Sequence, residues 1–134
     1  MKNIKIYIFV FLIWIFAGGT ATNALELERK VIYFHISSHR LTLQSQNILD
    51  NFLKAATGSG KNYLIIGHAD ERGASDYNLH LGDLRARAVL RYLVAHGSDP
   101  EKFIILSRGE AAPTDCRHAS KAWRANRRVE LLVW

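Results

Sequence analysis

The order in which two hydrophobic periods alternate constrains this chain more than any other feature. Val31-Ile-Tyr-Phe-His-Ile36 is a short run rich in β-branched and aromatic residues, which reads as a strand closed by the polar Ser37-Ser-His-Arg40. Thr42 is the expected N-cap of a helix in which Leu49, Phe52, Leu53 and Ala56 recur at helical spacing, with Ile48 beside them. Thr57-Gly-Ser-Gly60 stops that pattern, and the apolar run Tyr63-Leu-Ile-Ile66 reads as a second strand. A polar loop, Gly67 to Asp76, leads into a second helix from about Tyr77 to His96, striped by Tyr77, Leu81, Leu84, Ala88 and Tyr92, with Gly97 as its stop. Ser98-Asp-Pro-Glu101 reads as a turn, Phe103 to Ser107 as a third strand, Ser120 to Asn126 as a short helix and Arg128 to Trp134 as a fourth strand. Such an order predicts an α/β sandwich, a small sheet with helices on one face.

Of the 134 residues, the first 24 do not belong to this pattern. Lys2 and Lys5 precede an uncharged apolar run, Ile6 to Phe16, which gives way to the small residues of Ala17 to Ala24. A basic start, a short apolar stretch and a small-residue tail describe a signal peptide, so residues 1–24 are expected to be cleaved on export, leaving one domain, 25–134. The alternative is an uncleaved anchor, although the run is shorter than the roughly 20 residues a spanning helix needs. The net charge of +6 falls to +4 in the remaining chain, with 16 basic against 12 acidic side chains. That mild excess is compatible with nucleic acid, an anionic membrane surface or an acidic polymer, and it selects none of them. The single cysteine, Cys116, excludes a disulfide framework within the chain and makes a structural zinc site unexpected. It lies too far from the expected cleavage point to be lipidated there.

Familiar catalytic and cofactor patterns fail on inspection. Ala55-Ala-Thr-Gly-Ser-Gly-Lys-Asn62 resembles a phosphate loop only at Gly60-Lys61, and it follows a helix where a phosphate loop follows a strand. His35 and His39 stand four apart but across a strand end, so their side chains need not converge, and no HExxH-like pattern marks a zinc site. No Gly-x-Ser-x-Gly elbow is present. No catalytic residue, metal or cofactor is therefore expected.

The polar loop carries the chemistry. It leaves the C-terminal end of a strand and enters a helix, where α/β sheets place their ligands. Asp70 in the loop and Arg85 in the helix offer one acceptor for an ammonium and a planar fork for a carboxylate, which matches a zwitterionic amino-acid head. From residue types alone, an internal salt bridge pinning the loop to the helix explains the same pair.

Gly67-His-Ala-Asp-Glu-Arg-Gly-x-x-x-Tyr-Asn-x-x-Leu-Gly-x-x-Arg-Ala-x-Ala-Val89, with Gly109, Pro113 and then Asn126-Arg-Arg-Val-Glu-Leu131 downstream, resembles the OmpA C-terminal-like domain, and within it the peptidoglycan-associated lipoprotein branch. The resemblance covers about Val31 to Trp134. It implies a mixed four-stranded sheet and non-covalent, non-catalytic binding of peptidoglycan through the diaminopimelate of its stem peptide, with Asp70 and Arg85 holding the zwitterionic end. By the same matching, Phe34, His35, Gly67, His68, Tyr77, Asn78 and Leu81 are implied as pocket residues, and Asn126, Arg127 and Arg128 as a supporting set. Structural roles stand beside the last three: a helix cap for Asn126 and a strand flank for Arg128. His35 and Ser37 stand where the family usually carries aspartates, and the lipidation cysteine is missing. The implied location is the periplasm of a Gram-negative envelope, associated with the wall or outer membrane. The alternative is an interaction protein of Tol-Pal or stator type, docking a TolB-like partner by the same face, with a membrane contact limited to an uncleaved N-terminal segment.

Overall fold

The computed structural model describes residues 29–134, so the expected export segment lies outside the described residues. Strands β1 (Arg29–Tyr33), β2 (Tyr63–His68), β3 (Phe103–Gly109) and β4 (Arg128–Val133) form one sheet in the order β1-β4-β2-β3. β4 runs antiparallel to β1 and to β2, while β2 and β3 are parallel. Connectivity explains the mixture. A parallel pair needs a long crossover, and helix α2 (Ser75–Ala95) supplies it between β2 and β3, as helix α1 (Leu43–Ala56) joins β1 to β2. The short helix α3 (Ser120–Asn126) then delivers β4 into the middle of the sheet. The α/β sandwich with a mixed sheet is thus the architecture the chain adopts.

Local chemistry sets the element ends. Thr42 caps α1, its Oγ1 accepting from Ser45 N at 3.1 Å, which satisfies one of the orphan donors of the first turn. α2 starts at Ser75, two residues before the expected Tyr77, and Gly97 ends it at φ +96°, a left-handed conformation suited to glycine. The turn after α2 is a single 3₁₀ turn, Pro100–Lys102, capped by Asp99. β1 stops at Tyr33 rather than Ile36 because the carbonyls beyond it are taken by arginine side chains, described below.

One face of the sheet and the two long helices enclose the core. Ile32, Phe52, Ile65, Leu93 and Leu131 are fully buried there, and Phe52 meets Tyr63 edge-on at 4.9 Å. Strand alternation sends Ile104 and Leu106 of the edge strand β3 to the other face, where they are exposed. Gly67, an implied pocket residue, serves packing: a Cβ there would lie 1.8 Å from the Gly82 carbonyl oxygen, so the close approach of β2 and α2 requires glycine. That approach lays the first turns of α2 over the C-terminal end of β2. The C-terminal ends of β1, β2 and β3 and the N-terminal end of β4 all gather at this end of the sheet.

Candidate binding cleft

A cleft of about 110 Å³ opens at this end, walled by Tyr77, Asn78 and Leu81 of α2 and by Ile36 and Ser37 of the loop after β1. Its charged lining is Asp70, Arg72, Arg85 and Arg127, three guanidiniums against one carboxylate. Asp70 follows β2 by two residues and is largely buried, at 7% exposure. Its Oδ1 accepts from Arg72 N at 3.1 Å and Arg72 Nε at 3.0 Å, and its Oδ2 accepts from Arg72 Nη2 at 2.7 Å and Arg127 Nη1 at 3.2 Å. Burial acts to raise the Asp70 pKa, but the hydrogen bonds from Arg72 and Arg127 outweigh it and hold the carboxyl below its ordinary value.

Arg85 is completely buried, and it makes neither a hydrogen bond nor an ion pair with Asp70. Instead its Nε donates to Ser38 O at 2.8 Å, its Nη1 to His68 O at 2.8 Å and its Nη2 to His35 O at 3.0 Å. One guanidinium therefore clamps the loop after β1 to the end of β2. Burial, with repulsion from Arg127, pushes its pKa down to about 10, so it keeps its charge at neutral pH. Arg85 is nonetheless among the residues that line the cleft with Asp70. An internal Asp70–Arg85 bridge is absent; the two groups share a cleft, each held by other partners.

The remaining implied residues divide by strand alternation. Arg127 reaches the cleft, donating from Nε to Phe34 O at 3.1 Å as well as to Asp70. Phe34 lies in the core with its ring 5.4 Å from the Arg85 guanidinium carbon. His35 contributes its carbonyl, its side chain being exposed. Asn78 is buried and donates to Arg72 O at 3.2 Å and to the Glu110 carboxylate. Asn126 caps nothing: its Oδ1 accepts from Thr114 N at 2.8 Å and Asp115 N at 3.1 Å, stitching the preceding loop. His68 and Arg128 sit on the opposite face of the sheet, away from the cleft. There Arg128 bonds Glu130 Oε1 at 2.6 Å, and His68 Nε2 lies 3.4 Å from the same oxygen.

Three residues of the site escaped the sequence reading. Arg72 grips Asp70 and stacks on Trp123 at 4.2 Å; Trp123 in turn donates to Glu71 Oε1 at 2.8 Å, and Glu110 receives both Ser75 and Asn78. Arg72 carried a usable signal, because a residue two after an aspartate is where an Asx turn closes. Trp123 and Glu110 come from distant segments and carried none. Among the described residues, no group of three or more His, Cys, Asp or Glu side chains assembles as metal ligands would, and no helix is long and apolar enough to cross a membrane.

His68 makes a pH prediction. Burial first, then the positive charges of Arg128, Arg108 and Arg29, lower its pKa from 6.5 to about 4, against the opposing pull of Glu130. Below pH 6.5 the unfolded chain takes up a proton that the folded chain refuses until about pH 4. Stability should therefore fall by on the order of 3 kcal/mol as pH drops across that window. Urea unfolding of His68→Gln should show a shallower decline; an identical decline would place the titrating group elsewhere.

A mixed four-stranded sheet layered by helices on one face, with a charged cleft at the strand ends, defines an α/β sandwich domain. The chain belongs to the OmpA family, whose match spans residues 33–128. It is 41% identical over 114 residues to the peptidoglycan-associated lipoprotein of Pseudomonas aeruginosa, covering 85% of this chain and 68% of that protein. The crystal structure of the peptidoglycan-associated lipoprotein from Burkholderia pseudomallei superposes with a TM-score of 0.72 at 34% identity, over 78% of this chain and 90% of that one. The C-terminal domain of Helicobacter pylori MotB matches with a TM-score of 0.72 at 18% identity, over 78% and 84% of the two chains, a likeness of fold.

Proposed function

We propose that this protein is exported to the periplasm and binds peptidoglycan non-covalently through the diaminopimelate of the stem peptide, as a non-catalytic element of the cell envelope. One observation carries the reading: a single cleft presents a buried carboxylate, Asp70, and two buried guanidiniums, Arg85 and Arg127, between the walls formed by Tyr77 and Leu81. A zwitterionic head needs that combination, an acceptor for its ammonium and forked donors for its carboxylate. The surplus of guanidinium over carboxylate suits the further carboxylates of a stem peptide. Relatives named as peptidoglycan-associated lipoproteins support the same ligand. The lipid anchor in their name is not carried over, since Cys116 lies exposed in the loop before α3.

Protein purified from the periplasm should co-sediment with diaminopimelate-type peptidoglycan and stay in the supernatant with lysine-type peptidoglycan, whose side chain ends in an ammonium alone. Equal pelleting with both would show that the cleft does not read the zwitterion. A second reading, docking of an envelope protein, is favoured by a groove of about 690 Å³ beside the cleft, lined by Tyr33, Phe34, Leu43, Arg124 and Arg127. It predicts that pelleting requires the added partner.

A further inference from the structure

We infer that Arg72 occupies, in the free protein, the place that a ligand ammonium takes on Asp70, and so sets the affinity of the cleft from within; the inference rests on the ammonium-binding role proposed for Asp70. A carboxylate offers about four acceptor sites. All are in use: Arg72 supplies three donors, its N, Nε and Nη2, and Arg127 the fourth. An ammonium arriving at Asp70 finds no free lone pair, so one guanidinium must withdraw.

The two candidates differ in what holds them. Arg127 is nearly buried, and its Nε donates to Phe34 O while its backbone oxygen accepts from Phe34 N at 2.9 Å. Withdrawing it would strand a buried charge and a buried carbonyl. Arg72 has 38% of its side chain exposed, and its other side-chain contact is the face of Trp123. Its charge can be given to water at little loss, since ion pairs that reach the surface are weak. The backbone bond from Arg72 N to Asp70 Oδ1 needs no side chain, so the turn that presents Asp70 survives the exchange. Arg72 is therefore the donor that leaves. As it leaves, the cation stacked on Trp123 leaves with it, which gives the exchange an optical signature.

Competition of this kind predicts an uncommon direction of effect: removing a cation-carboxylate contact tightens binding. The probe is the synthetic tripeptide L-alanyl-γ-D-glutamyl-meso-diaminopimelate, titrated calorimetrically into protein purified from the periplasm. Arg72→Gln should bind it about fivefold more tightly than the parent, the scale expected for releasing one partly exposed ion pair, and Arg72→Lys should fall between them. In a Trp134→Phe background, peptide should change Trp123 emission in the parent and leave it unchanged when Arg72→Gln is added. Equal or weaker binding by Arg72→Gln overturns the inference, since Arg72 would then hold Asp70 or the ligand in place. So does peptide binding by the parent with no change in Trp123 emission. Failure of the parent to bind the peptide at all overturns the peptidoglycan reading itself, a separate outcome.

Discussion

Arg85→Ala is expected to destabilise the domain by about 3–4 kcal/mol, lowering its melting temperature by roughly 10–20 °C. The side chain is completely buried and donates to three backbone carbonyls, those of His35, Ser38 and His68. Truncation takes a charged donor from all three, leaves His35 O with only the 3.3 Å bond from Ser38 N, and removes the link between the loop after β1 and the end of β2. Escape of one desolvated charge offsets part of this loss. The effect on binding follows from the effect on structure: without the clamp, Ile36 and Ser37 no longer stand as a wall of the cleft. Loss of peptidoglycan binding in Arg85→Ala would therefore not distinguish a ligand contact from a collapsed cleft. Arg85→Lys keeps the charge but not the fork, and its three donors radiate from a single nitrogen where Arg85 reaches the three carbonyls from three nitrogens. It should retain most of the fold and still lose binding if the guanidinium plane meets a ligand carboxylate. Thermal melts and co-sedimentation run on both variants separate the two roles; a melting temperature for Arg85→Ala within a few degrees of the parent would show that the clamp carries little.

The order of strands and helices was legible because each element keeps its own hydrophobic period over enough residues to be read, as with Leu49, Phe52 and Ala56 in α1. The end of β1 was not. Phe34-His-Ile-Ser37 has strand composition, yet Arg127 takes the carbonyl of Phe34 and Arg85 takes those of His35 and Ser38. Side chains 47 to 93 residues away decide that boundary, and local propensity cannot register them. In the site, motif adjacency misled where alternation would have helped. Gly67 and His68 are neighbours in one motif and Arg127 and Arg128 in another, but a strand turns successive side chains to opposite faces. Gly67 faces α2 while His68 is buried with Arg128 and Glu130 on the far side. Asp70 and Arg85 were identifiable as a chemical pair, but their partners were not. The loop that supplies Arg72 and the helix that supplies Trp123 meet only in the folded chain.

Asp70→Asn should reduce peptidoglycan binding by more than about 100-fold, the scale of losing a desolvated charge-assisted contact together with the order of its surroundings. The replacement is nearly isosteric, so the cleft keeps its volume, and the effect lies in charge and in donor geometry. An amide nitrogen at the position of Oδ2 would face Arg72 Nη2 and Arg127 Nη1, both already donating there. An amide turned the other way would meet Arg72 N and Nε instead. Three guanidiniums would then line one cleft with no carboxylate among them, so an incoming ammonium would be repelled. Stability supplies an independent check on the same charge. Since its hydrogen bonds hold the Asp70 pKa below the ordinary value, the parent gains stability from this carboxylate above the ordinary carboxylate range and loses it as pH falls through the depressed folded value. The parent should consequently be more stable than Asp70→Asn at pH 7, and the gap should close as the medium is acidified below the carboxylate range. Urea unfolding of both proteins at neutral and acid pH measures that gap. A gap unchanged with pH would mean that Asp70 contributes through shape rather than charge. Retained co-sedimentation by a folded Asp70→Asn would move the ammonium site to another acceptor, and with it the reading of the whole cleft.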